Sequence, residues 1–143
     1  MAMTETMSVR PRWATWTAVL AVAFGLVTIS VGGRTLFGGP AARAEGGNIV
    51  PFVLWFNFIA GFAYVAAGAG LFAWRRWAAP LSAVIAVATV AVFGALGLHI
   101  LAGGAFEPRT VGAMTLRSLV WIAIAVAACR ALGCVPFARR PAA

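Results

Sequence analysis

The sequence has very few charged side chains. Only 10% of its 143 residues are charged, with three carboxylates, one histidine and no lysine, whereas 63% are hydrophobic. An ordinary soluble domain is about 25% charged. A soluble chain of this length could not remove so much apolar surface from water, so the composition excludes a water-soluble globular protein. It predicts a single integral membrane domain, residues 1–143, whose solvent is the lipid bilayer.

The sequence also lacks the motifs of common active sites. It contains no H-E-x-x-H, no G-x-x-x-x-G-K-[ST], no C-x-x-C-H and no Ser-His-Asp set. No helix carries a pair of histidines that would suggest haem, and no ladder of charges suggests a voltage sensor. We therefore predict that the protein is not an enzyme, and the sequence leaves any cofactor unknown.

Cysteine is scarce, and the two residues present are Cys129 and Cys134. On a continuous helix five residues turn the chain by about 500°, so the two side chains would point about 140° apart. Such a pair is poorly placed for a disulfide or a zinc site. We expect both cysteines to act as small apolar residues that fill space near the end of the last apolar run.

The net charge of +8 comes from eleven arginines. In a soluble protein this balance would suggest nucleic-acid binding. Here the arginines stand in short groups between apolar runs, and basic residues at membrane edges set the topology of a membrane protein. We therefore predict no nucleic-acid partner.

Long apolar runs are the dominant feature of the chain. Residues 49–74 form a run of 26 with no ionisable side chain other than Tyr64, and roughly 20 such residues suffice for a helix to cross a bilayer. The same pattern predicts four transmembrane helices, at about residues 13–33, 49–74, 79–101 and 111–132, and Gly32-Gly33 is expected to end the first. Residues 42–44 have the form of a signal-peptide cleavage site, but the first run is longer than a signal peptide's hydrophobic region.

The arginines are distributed unevenly between the two ends of these helices. One end carries six, namely Arg10, Arg12, Arg75, Arg76, Arg139 and Arg140. The other end carries Arg34, Arg43 and Arg109 alongside Glu45 and Glu107. The end with more arginines is expected to face the cytoplasm. We predict an all-α, integral membrane four-helix bundle in the bacterial inner (cytoplasmic) membrane, with both termini cytoplasmic.

Small residues recur four positions apart in all four predicted helices, for example Ala21 with Gly25 and Ala63 with Ala67. In lipid this spacing lets helix backbones approach each other closely. It favours a compact bundle over an isolated pair of helices.

Polar side chains gather in the outer half of the predicted bundle. The candidate ligand-binding residues there are Asn57, His99, Glu107 and Arg117. A charged residue in a spanning segment costs roughly 2.5–3.5 kcal/mol at mid-bilayer, so Arg117 calls for a partner. We predict an ion pair of Glu107 with Arg117 or with Arg109. Alternatively, Arg117 snorkels outward to the headgroups.

His99 and Asn57 each allow more than one interpretation. His99 is expected to make a polar contact at a helix end, or else to contact a proton pathway or a quinone. It could also bind copper together with Glu107 and Met114, because imidazole and thioether groups suit that metal. Asn57 is expected to form a hydrogen bond between helices.

Part of the chain resembles the DoxX-like family of small bacterial four-helix membrane proteins. The resemblance covers about residues 50–100. It is carried by the segments Phe58-Ile59-Ala60-Gly61 and Ala67-Gly68, the turn Arg75-Arg76-Trp77-Ala78, and an apolar helix that ends near His99. Members of that family are associated with redox or sulfur-related membrane complexes. The resemblance implies an accessory role in the membrane.

Two functional hypotheses follow. The first is a small non-enzymatic inner-membrane protein that acts as an accessory or assembly subunit, with another membrane protein or further copies of itself as partner. The alternative is a ligand-binding or transport protein with a copper, quinone or proton site in the outer half of the bundle.

Overall fold

The computed structural model describes residues 9–134, and all of their regular structure is helical. Five helices follow one another: α1 (Arg12–Phe37), α2 (Gly39–Glu45), α3 (Pro51–Phe72), α4 (Ala78–Leu101) and α5 (Pro108–Leu132). All except α2 are 22–26 residues long and apolar enough to cross a membrane. The predicted all-α class is therefore confirmed, and four helices have the length and composition that the predicted multi-pass membrane protein requires. Arg139 and Arg140, used in the topology prediction, lie outside the described residues.

Prolines mark the starts of two spans. α3 begins at Pro51 and α5 at Pro108. Proline suits the first helical position because that residue's N–H would have no partner within the helix and the ring fixes a helical φ. These boundaries lie within three residues of the predicted ones.

α1 continues through Gly32-Gly33 to Phe37, beyond the predicted end at residue 33. A chain that crosses lipid satisfies its backbone polar groups best by staying helical, so glycine there is a weaker breaker than in water. Gly32 instead makes room for a neighbouring helix, because a Cβ at this position would lie 3.2 Å from the Cβ of Phe58 on α3. The following segment, expected to be a loop, contains the short helix α2.

α1 and α3 pack against each other in antiparallel directions through small residues. A Cβ added at Gly25 would lie 2.7 Å from the carbonyl oxygen of Gly61, and one added at Gly68 would lie 3.0 Å from that of Ala18. Real Cβ atoms essentially never show the first distance, and the second is tighter than nine in ten of their contacts. These glycines therefore allow the two backbones to come together, as the spacing of small residues predicts.

The long helices contact one another in the order α1, α3, α4, α5, whereas the backbones of α1 and α5 hardly approach each other. The main core lies around Tyr64 and Trp121, which are fully buried. A smaller apolar cluster consists of Val50, Val53, Leu96 and Met114. It lies where α1 and α4 end and α3 and α5 begin, and we call this end of the molecule the polar end.

Cys129 and Cys134 are joined by a disulfide, with their Cα atoms 4.7 Å apart. The expectation that they are a poor disulfide pair is wrong. It assumed a continuous helix, but α5 ends at Leu132 and Gly133 has a φ of +80°. Glycine adopts this backbone conformation readily. It turns the chain back, so that Cys134 approaches Cys129 and packs against the main core.

Candidate functional site

A cavity of about 410 Å³ lies at the polar end, between α1, α2, α3 and α5. Volumes of about 300–1,000 Å³ are usual for small-molecule sites. Its polar lining residues are Thr28, Arg34, Thr35, Glu45, Asn57, Glu107, Arg109, Thr110 and Arg117. Three of the four predicted ligand-binding residues therefore share one cavity. His99 is not among its lining residues.

Arg117 reaches from α5 towards α1. Its Nη2 donates to Thr28 Oγ1 over 3.4 Å, a long distance for a hydrogen bond, and its guanidinium carbon lies 5.6 Å from the centre of the Phe24 ring. The Nε is buried and has no hydrogen-bond partner. The side chain therefore does not snorkel to the headgroups but turns inward, with most of its donor capacity unused.

Glu107 pairs with neither arginine. It is the residue that precedes α5, so ten residues and a helical rise of roughly 15 Å separate it from Arg117. Its Oε1 accepts a hydrogen bond from the backbone N–H of Asn48 at 2.9 Å, which fastens the loop before α3 to the start of α5. The predicted ion pair of Glu107 with Arg117 or with Arg109 is therefore wrong.

The charges at the mouth of the cavity are engaged with one another. Arg34 and Glu45 form the one ion pair within residues 9–134, at 3.2 Å, and both side chains are about two-thirds exposed. Arg109 donates to the backbone oxygen of Glu45 at 3.1 Å. An exposed pair of this kind contributes roughly 0–1 kcal/mol to stability. These contacts position α2 over the cavity but contribute little to the stability of the protein.

Asn57 lies on α3 and lines the same cavity as Arg117. Its side-chain oxygen is buried and has no hydrogen-bond partner, so this oxygen does not make the expected hydrogen bond between helices. Leaving a buried acceptor unpaired costs about 1–3 kcal/mol. Asn57 and Arg117 therefore line one cavity, and each has one buried polar atom without a hydrogen-bond partner.

Below the cavity, a column of aromatic and polar side chains continues into the core. Phe24 stacks on Tyr64 with ring centres 5.8 Å apart, and Tyr64 lies 4.7 Å from Trp121. The Trp121 indole N–H is buried without a hydrogen-bond partner, and the buried hydroxyls of Tyr64 and Thr89 lie close enough to interact with each other. In the sequence Tyr64 stands out only as the one ionisable side chain of its apolar run. Thr89 and Trp121 do not stand out, because single polar atoms on apolar spans carry no spacing signal.

His99 makes a local contact at the end of α4. Its Nε2 lies 3.0 Å from the backbone oxygen of Ala105, and its ring meets the ring of Phe52 edge to face. A carbonyl oxygen only accepts, so Nε2 is the protonated nitrogen in this arrangement. This is the polar contact at a helix end that the sequence allowed.

The predicted copper ligands have different surroundings. Met114 is fully buried in the smaller apolar cluster, and Glu107 binds the backbone of Asn48. Among residues 9–134, no three or more His, Cys, Asp or Glu side chains are grouped so that they could hold a metal ion. The copper site of His99, Glu107 and Met114 stays a prediction.

In comparisons with known proteins, no family model matches the chain, and no curated protein or solved structure is similar to it. The resemblance to the DoxX-like family therefore stays a prediction. What the fold establishes is a class, a helical protein with four candidate membrane spans. Any functional argument has to rest on the cavity at the polar end.

Proposed function

We propose that the chain is a multi-pass four-helix bundle of the bacterial inner membrane, with both termini in the cytoplasm and the polar end facing outward. An even number of spans returns the chain to the side on which it starts. The excess of arginine near the termini and between α3 and α4 supports the cytoplasmic assignment.

In this membrane, the protein binds a small polar molecule in the cavity at the polar end, either to hold it or to move it. The observation that carries this proposal is Arg117. It sits in a candidate membrane span, has no carboxylate partner among residues 9–134 and lines a cavity of about 410 Å³. Charged residues inside spanning segments are expensive, and those that are retained usually serve a function.

The chemistry of the lining narrows the alternatives. Guanidinium, hydroxyl, amide and carboxylate groups surround the cavity, and within residues 9–134 no histidine, cysteine or methionine lines it. Such groups suit a ligand held by hydrogen bonds and charge better than they suit copper, which prefers soft or imidazole ligands. The accessory-subunit hypothesis and its membrane-protein partner stay predictions, because no contact in residues 9–134 favours them over ligand binding.

The test is to purify the protein in mild detergent and to identify released small molecules by mass spectrometry. We expect about one ligand per chain in the wild type and a loss of most of it in Arg117→Gln. Arg130→Gln is the matched control, because Arg130 lies on the same helix, is exposed and does not line the cavity. A wild-type protein without ligand, or a ligand retained equally by Arg117→Gln, would contradict the proposal.

A further inference from the structure

We propose that the part of the ligand seated at the deep end of the cavity is an oxyanion, a carboxylate or a phosphate group, held by Arg117. This inference rests on the proposed function and specifies the chemistry of its ligand. It is drawn from the donors left unused at that end, from the charges around them and from the gap between α1 and α5.

Arg117 has hydrogen-bonding capacity that the protein does not use. A guanidinium offers five N–H donors in a planar fork that matches the oxygens of a carboxylate or phosphate. Here one donor makes a 3.4 Å contact with Thr28, and Nε, one of the fork's edges, is buried without a partner. An oxyanion in the cavity would supply two acceptors and a compensating charge at once.

Charges at the mouth of the cavity are paired, whereas the charge at its deep end is not. Near the mouth, Arg34 pairs with Glu45, and Glu107 accepts from the backbone of Asn48. Arg117 lies further down α5, beside Thr28 and the face of Phe24, where no carboxylate of the described residues comes within ion-pair distance. The deep end therefore carries one uncompensated positive charge, which suits an anionic group.

Asn57 also lines the cavity, and its buried side-chain oxygen accepts no hydrogen bond. The oxygen and nitrogen of an amide are interchangeable in their assignment, so the side chain can present an acceptor or a donor to the cavity. In the orientation found, it calls for a hydroxyl or N–H group. A hydroxyl close to the oxyanion would satisfy Asn57 while the oxyanion satisfies Arg117.

A ligand can reach the cavity between α1 and α5. α1 and α5 meet through the side chains of Arg117, Thr28 and Phe24, while their backbones hardly approach each other. Val31 of α1 lines the cavity although it is 62% exposed, so the cavity borders the surface that would face lipid. The oxyanion can therefore belong to a lipid headgroup that enters from the side or to a soluble molecule that enters from the polar end.

Titration of the purified protein with defined probes, followed by non-denaturing mass spectrometry, tests the inference and separates the two sources. Phosphatidylglycerol carries a phosphate with hydroxyl groups on a lipid, glycerol 3-phosphate carries them in soluble form, and diacylglycerol lacks the oxyanion. We expect at least one phosphate probe to bind the wild type and Arg130→Gln at least tenfold more tightly than Arg117→Gln. Diacylglycerol should show no such difference.

Arg117→Lys keeps the charge but not the planar fork. It tests whether weaker binding by Arg117→Gln results from loss of the fold. It should bind the same probe with intermediate affinity, while unfolding in detergent as the wild type does. Equal binding of the phosphate probes to wild type and Arg117→Gln would overturn the inference. So would a co-purified ligand that depends on Arg117 but has no acidic group, a result that would leave the proposed function standing. If no probe binds and no ligand co-purifies, both fail.

Discussion

Arg117 is compensated incompletely by its surroundings. Its guanidinium donates one long hydrogen bond to Thr28 and lies over the face of the Phe24 ring. A cation near an aromatic ring gains roughly 0.5–2 kcal/mol. Removing a charge from water costs several kcal/mol, which exceeds this gain. The residue is therefore a net cost to the empty protein, and a bound anion would reverse that.

Replacing Arg117 with methionine should consequently stabilise the protein. The substitution keeps a long, flexible side chain and removes the unpaired charge, so we expect the free energy of unfolding to rise by about 1–3 kcal/mol. Ligand retention should fall in the same variant. Unfolding in mixed detergent micelles measures the first effect, and a marked destabilisation would instead indicate that Arg117 has a structural role.

The sequence identified Arg117 and Asn57 because a polar side chain stands out in an apolar run. It did not identify their partners. Glu107 was the nearest carboxylate along the chain, but it lies about 15 Å of helical rise away from Arg117 and binds the backbone of Asn48 instead. Thr28 and Phe24 become neighbours of Arg117 only through the packing of α1 near α5, which no local pattern records.

At the scale of elements, glycine acts in this molecule mainly by letting helices approach. Gly25, Gly61 and Gly68 lie on the contact between α1 and α3, where an added Cβ would meet the facing backbone or the side chains upon it. In lipid there is no hydrophobic drive between helices, so close packing of this kind supplies much of their association. The antiparallel pair α1–α3 forms one wall of the cavity.

Gly25→Ala should weaken that pair. The new methyl group would lie 2.7 Å from the Gly61 oxygen and 2.8 Å from Val65, so the helices must separate, at a cost of about 1–3 kcal/mol. Gly94→Ala is the matched control, because Gly94 lies within α4 with nothing within 4 Å of an added Cβ. That change should be neutral or stabilising by about 0.5–1 kcal/mol. Equal losses in both variants would contradict this account, because Gly94→Ala creates no close contact and the loss at Gly25 could then not be assigned to the contact with Gly61.

The sequence predicts which long helices are present better than it predicts where they begin and end. Runs of apolar residues long enough to span a bilayer predict the four long helices, and Pro51 and Pro108 mark two of their starts. The extension of α1 past Gly32 and the short helix α2 did not follow. Both depend on context, since glycine and proline signals are calibrated on chains in water and Gly32 here packs against Phe58.

For the whole molecule, the disulfide of Cys129 and Cys134 bears on topology. Disulfides persist in oxidising compartments and are rare in the cytoplasm. In the topology that we propose from the arginine distribution, the C-terminal end of α5 lies in the cytoplasm. The bridge closes a short loop and is worth about 2 kcal/mol by loop entropy, so a protein with four packed helices can fold without it.

With both termini in the cytoplasm, the two cysteines should therefore be thiols in growing cells. Alkylation of intact cells with a permeant maleimide, followed by denaturation, should add two labels per chain without prior reduction. Cys129→Ser should add one label and lower the free energy of unfolding by no more than about 2 kcal/mol under oxidising conditions. Labels that appear only after reduction would mean that this end of the molecule lies outside the cytoplasm, and the topology would have to be inverted.

The most direct test of the binding function is native mass spectrometry of the intact protein, released from its own membranes under non-denaturing conditions. The wild type and Arg130→Gln should each carry one additional small molecule per chain. Arg117→Gln should appear at the mass of the bare chain. An unliganded wild type, or the same added mass on all three proteins, would show that the cavity beside Arg117 is not a binding site.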